Sequence, residues 1–215
     1  MLMVMPLQNP DADFLTGRLL VAMPGIDDPR FERAVLYVCA HNDEHAMGLA
    51  VNRPVEGLTI PDLLERLGVQ SNIHLPEDLV LMGGPVERER GFVLHTDDYV
   101  CEGSSLPIAQ GVALTATKEV LQALASDTRP RRSLLALGYA GWGPGQLERE
   151  VRDNVWLVCE PDEALIFGMG CSRGCSPLGR TGNADPDKRT VLAAAGSLTN
   201  NLGQKPCLVG ATVRT

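Results

Sequence analysis

Cys39 and His41 stand two residues apart where the apolar run Val35-Leu36-Tyr37-Val38-Cys39 ends. Residues at that spacing on a strand share a face. A histidine beside a thiol can hold it as a thiolate nucleophile; a buried, inert cysteine near a surface histidine fits the same residues. His41 also opens His41-Asn42-Asp43-Glu44-His45. These are metal-ligand types, but His-x3-His serves one ion best on a helix, and here it spans a short hairpin connection. No metal site is expected there. His95 closes the run Gly91–His95 and precedes Asp97 and Asp98. A His–carboxylate pair can do acid–base work, and aspartates after a strand also cap turns. No Gly-x-Ser-x-Gly elbow accompanies them, so no catalytic residue is assigned.

The remaining candidates lie in loops. Pro24-Gly25 and Asp28-Pro29 are turn signals within a six-residue span. Their two prolines remove backbone freedom and present Asp28 and Arg30 on a stiff loop, either as a binding surface or as turn caps and ion pairs. Asn52-Arg53-Pro54 ends the following strand. Arg53 can clamp a carboxylate or phosphate or pair with Asp27 or Asp28. Gly83-Gly84-Pro85 and the stretch from Gly138 to Glu148, with Trp142 between two glycines, are glycine-rich, and the second leads into a helix whose backbone donors can receive an anion. Trp142 suits stacking on a ligand, with core filling the default reading. Neither stretch has a P-loop or dinucleotide fingerprint, and no cofactor is expected. Cys171-x3-Cys175 lacks a second ligand pair for zinc.

Composition narrows the class. The 215 residues are 44% hydrophobic and carry a net charge of −8. A field of that sign opposes phosphate backbones, so nucleic acid is not an expected partner. No apolar run reaches the ~18 residues of a membrane span. The start, MLMVMPLQNPDADF, lacks a basic n-region and a cleavage site. The expectation is a cytoplasmic protein whose six cysteines are reduced.

These side chains need elements to hold them. Short apolar runs ended by Gly, Pro, Asn or Asp predict strands over 18–23, 34–40, 48–52, 79–82, 91–95, 133–139, 155–159 and 164–167. Helical spacing with caps predicts helices near 59–67, 117–126 and 145–153. Strand pairs interrupted by single helices give α+β with a mixed sheet rather than a doubly wound one. The domain is expected over 15–168, after an N-terminal arm, 1–14. Residues 169–190 lack both periodicities, and 169–215 are expected to form a mobile tail.

The ordered series GRLLVAMPGIDDPRFERAVLYVCAH, MGLAVNRP, GGPVERERGFVLH, GVALTAT and LGYAGWGPGQLEREV resembles the AlgH/YqgE family of bacterial proteins. The resemblance implies one α+β domain whose bifurcated sheet curls into a pseudo-barrel, flanked by about three helices. It carries Pro-Gly-x-x-Asp-Pro-x-Phe, Pro24 to Phe31, as a fixed element of the fold. The family name suggests transcriptional regulation without supplying a DNA-binding motif or catalytic residues. Members continue after Gly168 into an amphipathic helix; here the tail has no aromatic residue, as an altered or frameshifted end would have. The functional expectation is a ligand-binding or regulatory protein, its partner an unidentified small molecule or protein, with a homodimer as an open alternative. A small hydrolase or thiol enzyme using Cys39, His41, His95 or Arg53 is the second reading.

Overall fold

A computed structural model describes residues 14–109 and 111–168. In chain order these form β1 (Leu19–Ala22), β2 (Val35–His41), β3 (Ala46–Ala50), β4 (Pro54–Thr59), α1 (Ile60–Arg66), β5 (Leu79–Met82), β6 (Val86–Thr96), β7 (Ser105–Ala109), β8 (Val112–Thr115), α2 (Lys118–Leu124), β9 (Ser133–Trp142), α3 (Gln146–Arg152), β10 (Trp156–Cys159) and α4 (Glu163–Gly168). Eight strands run in the order β10-β1-β2-β3-β9-β6-β8-β7, a mainly antiparallel sheet curled into a half-barrel.

The sheet forks at β9. Its first half pairs with β6 on one side and, in parallel, with β5 on the other; its last residues pair with β3 instead. β4 adds to β5. The fork demands small residues. Gly83 donates its N–H to Leu137 O at 2.8 Å and accepts from Ala50 N at 2.8 Å, so it joins both branches. A Cβ at Gly84 would overlap the Tyr139 carbonyl, and Gly138 sits at φ 71°, facing Gly84 O and Val86 O. Only glycine adopts that conformation and that approach without cost. The Gly83-Gly84 pair is thus fixed by strand packing.

Alternation along the strands sends side chains to two cores. Leu20, Leu36, Val38 and Ala50 pack with Trp142, Leu147 and Trp156 against α3. Val80, Val93 and Leu135 pack under Ile60 and Leu64 of α1 and Val120 and Leu124 of α2. α1 begins with a capping box, Thr59 and Asp62 each accepting the other's backbone N–H.

Three strands go beyond the sequence reading. β4 and β7 are mostly exposed or half-buried, and β7 carries Pro107, which suits an edge strand. β8, all four residues buried, is too short to show a period. One expectation is corrected: 164–167 is helical. Asp162 accepts the N–H groups of Leu165 and Ile166 through its carbonyl and of Ala164 through its carboxylate, starting a turn that becomes α4. Four apolar residues in a row do not distinguish strand from helix. The arm up to residue 13 and the tail expected over 169–215 lie outside the described residues.

Candidate functional site

α1 and α2 have seven residues each, roughly 10 Å of helix. They cannot cover the face of β6 and β9 between them. The linker after α1 bridges them at one end, where Ser71 Oγ and Asn72 N reach Ala125 O at 3.2 and 3.3 Å. What they leave open is a cleft of about 880 Å³, within the size range of small-molecule sites. Its floor is Val93, Leu135 and Leu137, its walls Leu63, Val69 and Leu121, and its charged rim Glu89, Arg90 and Lys118. Arg90 is oriented by Glu87 at 3.0 Å and by the Phe92 ring, 5.2 Å from its guanidinium carbon.

None of the twelve residues singled out in the sequence lines this cleft; each has other partners. Pro24 and Gly25 form an exposed turn, Gly25 at φ 91°, closed by Ile26 N on Met23 O at 3.3 Å. Asp28 caps the 3-10 turn Pro29–Phe31 and grips Arg30, whose Nη2 lies 2.7 Å from its Oδ2. That hydrogen-bonded guanidinium holds the Asp28 carboxyl below its usual range; the charge of Arg53 adds to this. Arg53 itself donates to Glu32 O at 2.7 Å. Asn52 spans the same loop, accepting from Val35 N and donating to Arg33 O, both at 2.9 Å. The stiff opening loop is thus held by the end of β3, and its Phe31 ring packs edge-on against Trp156.

Cys39 is 1% exposed, its thiol 3.6 Å from Tyr37 O. Burial pushes its pKa up to about 12, the opposite of an activated thiol. His41 is buried beside it in sequence but committed elsewhere: Nδ1 accepts from Leu15 N at 2.9 Å, Nε2 meets Glu148 Oε1 at 3.0 Å, and the Phe14 ring packs edge-on. Both ring nitrogens are occupied, and His45 lies exposed in the hairpin turn. Trp142 donates to Glu150 Oε2 at 2.8 Å, Trp156 to the same oxygen at 2.7 Å, and Gln146 to Oε1 at 2.8 Å. Removing that carboxylate would orphan two indole donors, at about 1–3 kcal/mol each where they are buried.

His95 lies on another part of the sheet. It is fully buried, its ring nitrogens 2.9 Å from Thr96 O and 2.8 Å from Thr115 Oγ1. Thr115 Oγ1 continues to Ser105 Oγ at 2.7 Å, and Tyr99 packs edge-on against the imidazole. The sequence reading assigned no functional role to Thr115, Ser105 or the cleft residues. They come from β6, β7, β8, β9, α1, α2 and the linker after α1, and no local motif joins them.

A forked half-barrel with two short helices over one face sets the architectural class, and the comparisons place the chain within it. The chain belongs to the AlgH-like family, whose model matches residues 19–174, past the Gly168 at which a departure was expected. A UPF0301 protein of Caulobacter vibrioides is 70% identical over 162 residues, covering 75% of this chain and 83% of that one. A UPF0301 protein of Bradyrhizobium diazoefficiens is 51% identical over 170 residues, covering 76% and 79%. The solution structure of the AlgH protein from Pseudomonas aeruginosa aligns with a TM-score of 0.64 at 34% identity, covering 95% of this chain and all of that one. A crystal structure of a Corynebacterium diphtheriae protein, TM-score 0.55 at 19% identity over 71% and 79%, shares the fold. No described helix is long and apolar enough to cross a membrane.

Proposed function

We propose that this chain is a ligand-binding protein whose site is the cleft between α1, α2 and the β6–β9 face, and that any regulatory role runs through that ligand rather than through direct DNA contact. The cleft itself carries the reading: apolar side chains on its floor and walls, a polar rim, and a volume suited to a small molecule. The net charge of −8 supports the second part. Cys39, His41 and Arg53 have structural partners of their own, which favours this reading over an enzyme built on those groups.

The test uses Nile red, a neutral dye whose emission moves to the blue in apolar sites. Saturable binding to the purified chain is expected, weakened at least about tenfold, a loss of about 1.4 kcal/mol, by Leu121→Asp or by Leu67→Asp, an exposed cleft residue just after α1, in variants that keep the parent circular dichroism. Binding untouched by both substitutions, or no saturable binding, would reject the cleft as the site.

A further inference from the structure

The fully buried His95 is joined to half-buried Ser105 by two successive hydrogen bonds. Their directions follow from the end groups. Thr96 O can only accept, so His95 Nδ1, 2.9 Å away, carries the proton. Nε2 of the neutral ring therefore presents its lone pair, and the Thr115 hydroxyl, 2.8 Å away, donates to it. With its proton so used, Thr115 Oγ1 accepts from Ser105 Oγ at 2.7 Å. Cys101 N–H donates to Ser105 Oγ at 3.0 Å. The Ser105 proton thus points along a path that ends on a basic nitrogen.

We propose that Ser105 is a nucleophile toward activated acyl and phosphonyl electrophiles, with Thr115 and His95 as the relay that removes its proton. In the step, Ser105 Oγ bonds to the electrophilic carbon or phosphorus. Its proton passes to Thr115 Oγ1 while the Thr115 proton passes to His95 Nε2. The leaving group departs with the electron pair of its broken bond. Cys101 N–H stays on the serine oxygen and offsets the charge that builds there before bonding is complete. Thr96 O fixes the imidazole tautomer, as a carbonyl partner of Nδ1 does in other acid–base histidines. Access and shielding are divided along the chain of bonds. β7 has β8 as its one strand neighbour among the described residues, leaving half-buried Ser105 on an outer strand, while Thr115 and His95 are fully buried. None of the three lines the cleft, so this inference stands apart from the ligand-binding reading.

A purely structural network would hold the same side chains together without making Ser105 reactive. The experiment therefore compares two neighbouring hydroxyls. The full chain is treated with a fluorophosphonate, whose fluoride is the leaving group, and the adduct is located by peptide mass spectrometry. Ser105 is expected to be labelled well ahead of Ser104, with the adduct lost in Ser105→Ala. Thr115→Val should slow labelling about a hundredfold and Thr115→Ser should restore it to within roughly threefold, as removal and repair of a general-base path predict. Equal labelling of Ser104 and Ser105 in the unmodified protein, or no adduct at Ser105, would overturn the proposal whether or not the variants fold. So would a folded Thr115→Val protein that labels at the parent rate.

Discussion

His41 and His95, both buried, are held in opposite tautomers. His41 Nδ1 faces a donor, Leu15 N–H, so the proton lies on Nε2 and is donated to Glu148. His95 Nδ1 faces an acceptor, Thr96 O, so its proton lies on Nδ1. Long-range nitrogen–proton NMR spectra at about pH 8, where an ordinary imidazole is neutral, should show one ring of each kind. Two identical tautomers would mean that one of the two networks is wired differently.

Cys39 should resist alkylation in the native protein. At a pKa of about 12, only about one molecule in 10⁴ is a thiolate at pH 8, and the sulfur is buried. Iodoacetamide at that pH should label half-buried Cys101 and leave the Cys39 peptide unmodified until denaturant is added. Fast native labelling of Cys39 would return it to the candidate nucleophiles.

The two glycine-bearing turns should answer alanine differently. At Gly84 a Cβ would overlap the Tyr139 backbone, which cannot swing aside as a side chain can. Gly84→Ala should cost more than about 3 kcal/mol or prevent folding, as severe overpacking does. Gly25 has positive φ but no atom within 4 Å of its would-be Cβ, so Gly25→Ala should cost only the backbone term, about 1–2 kcal/mol. Urea unfolding of the two variants reads the difference. Equal costs would contradict a fork fixed by close approach.

Asp98 supplies the acid response. Its carboxylate accepts from the Thr96 hydroxyl and from Arg131 N at 2.8 Å. The Thr96 hydrogen bond is the main cause that holds its pKa below the ordinary value, with the Arg131 N–H adding to it. A depressed folded pKa gives stability that is fully present above the unfolded value, about 3.9, and lost as pH falls through the folded one. Asp98 is exposed, so screening keeps the contribution to roughly 0.5–1 kcal/mol. The stability gap between parent and Asp98→Asn should be constant from about pH 7 to pH 5 and shrink below about pH 4. A gap that widens on acidification would reverse the assignment.

Much of the scaffold is legible in the residues. Leu79–Met82 matches β5 at both ends, and the caps Thr59 and Gly68 bracket α1. Asn154 ends α3 at φ 58°, a left-handed conformation that asparagine adopts more readily than most residues. What local pattern could not show is pairing at a distance. Glu150 collects two indoles, from β9 and β10, that nothing in the spacing connects. Arg30, two residues from Asp28, takes the partner that the sequence offered equally to Arg53. Catalytic residue types drew attention to Cys39 and His41, yet the cleft is built from Leu63, Val93, Leu121 and Leu135, residues indistinguishable in sequence from ordinary core. A cavity records where helices are too short, and helix length relative to the sheet beneath is a tertiary property.

Methyl NMR reads occupancy of the cleft residue by residue. The chain, carbon-13 labelled at Leu and Val methyls, would be titrated with 1-decanol below its solubility limit. Saturable shifts are expected only in the cleft, at Leu63, Val93, Leu121 and Leu137, with Leu36 and Val38 beside Trp142 unmoved. Shifts centred on Leu36 and Val38, or no saturable shift at the cleft methyls, would contradict the cleft as the site.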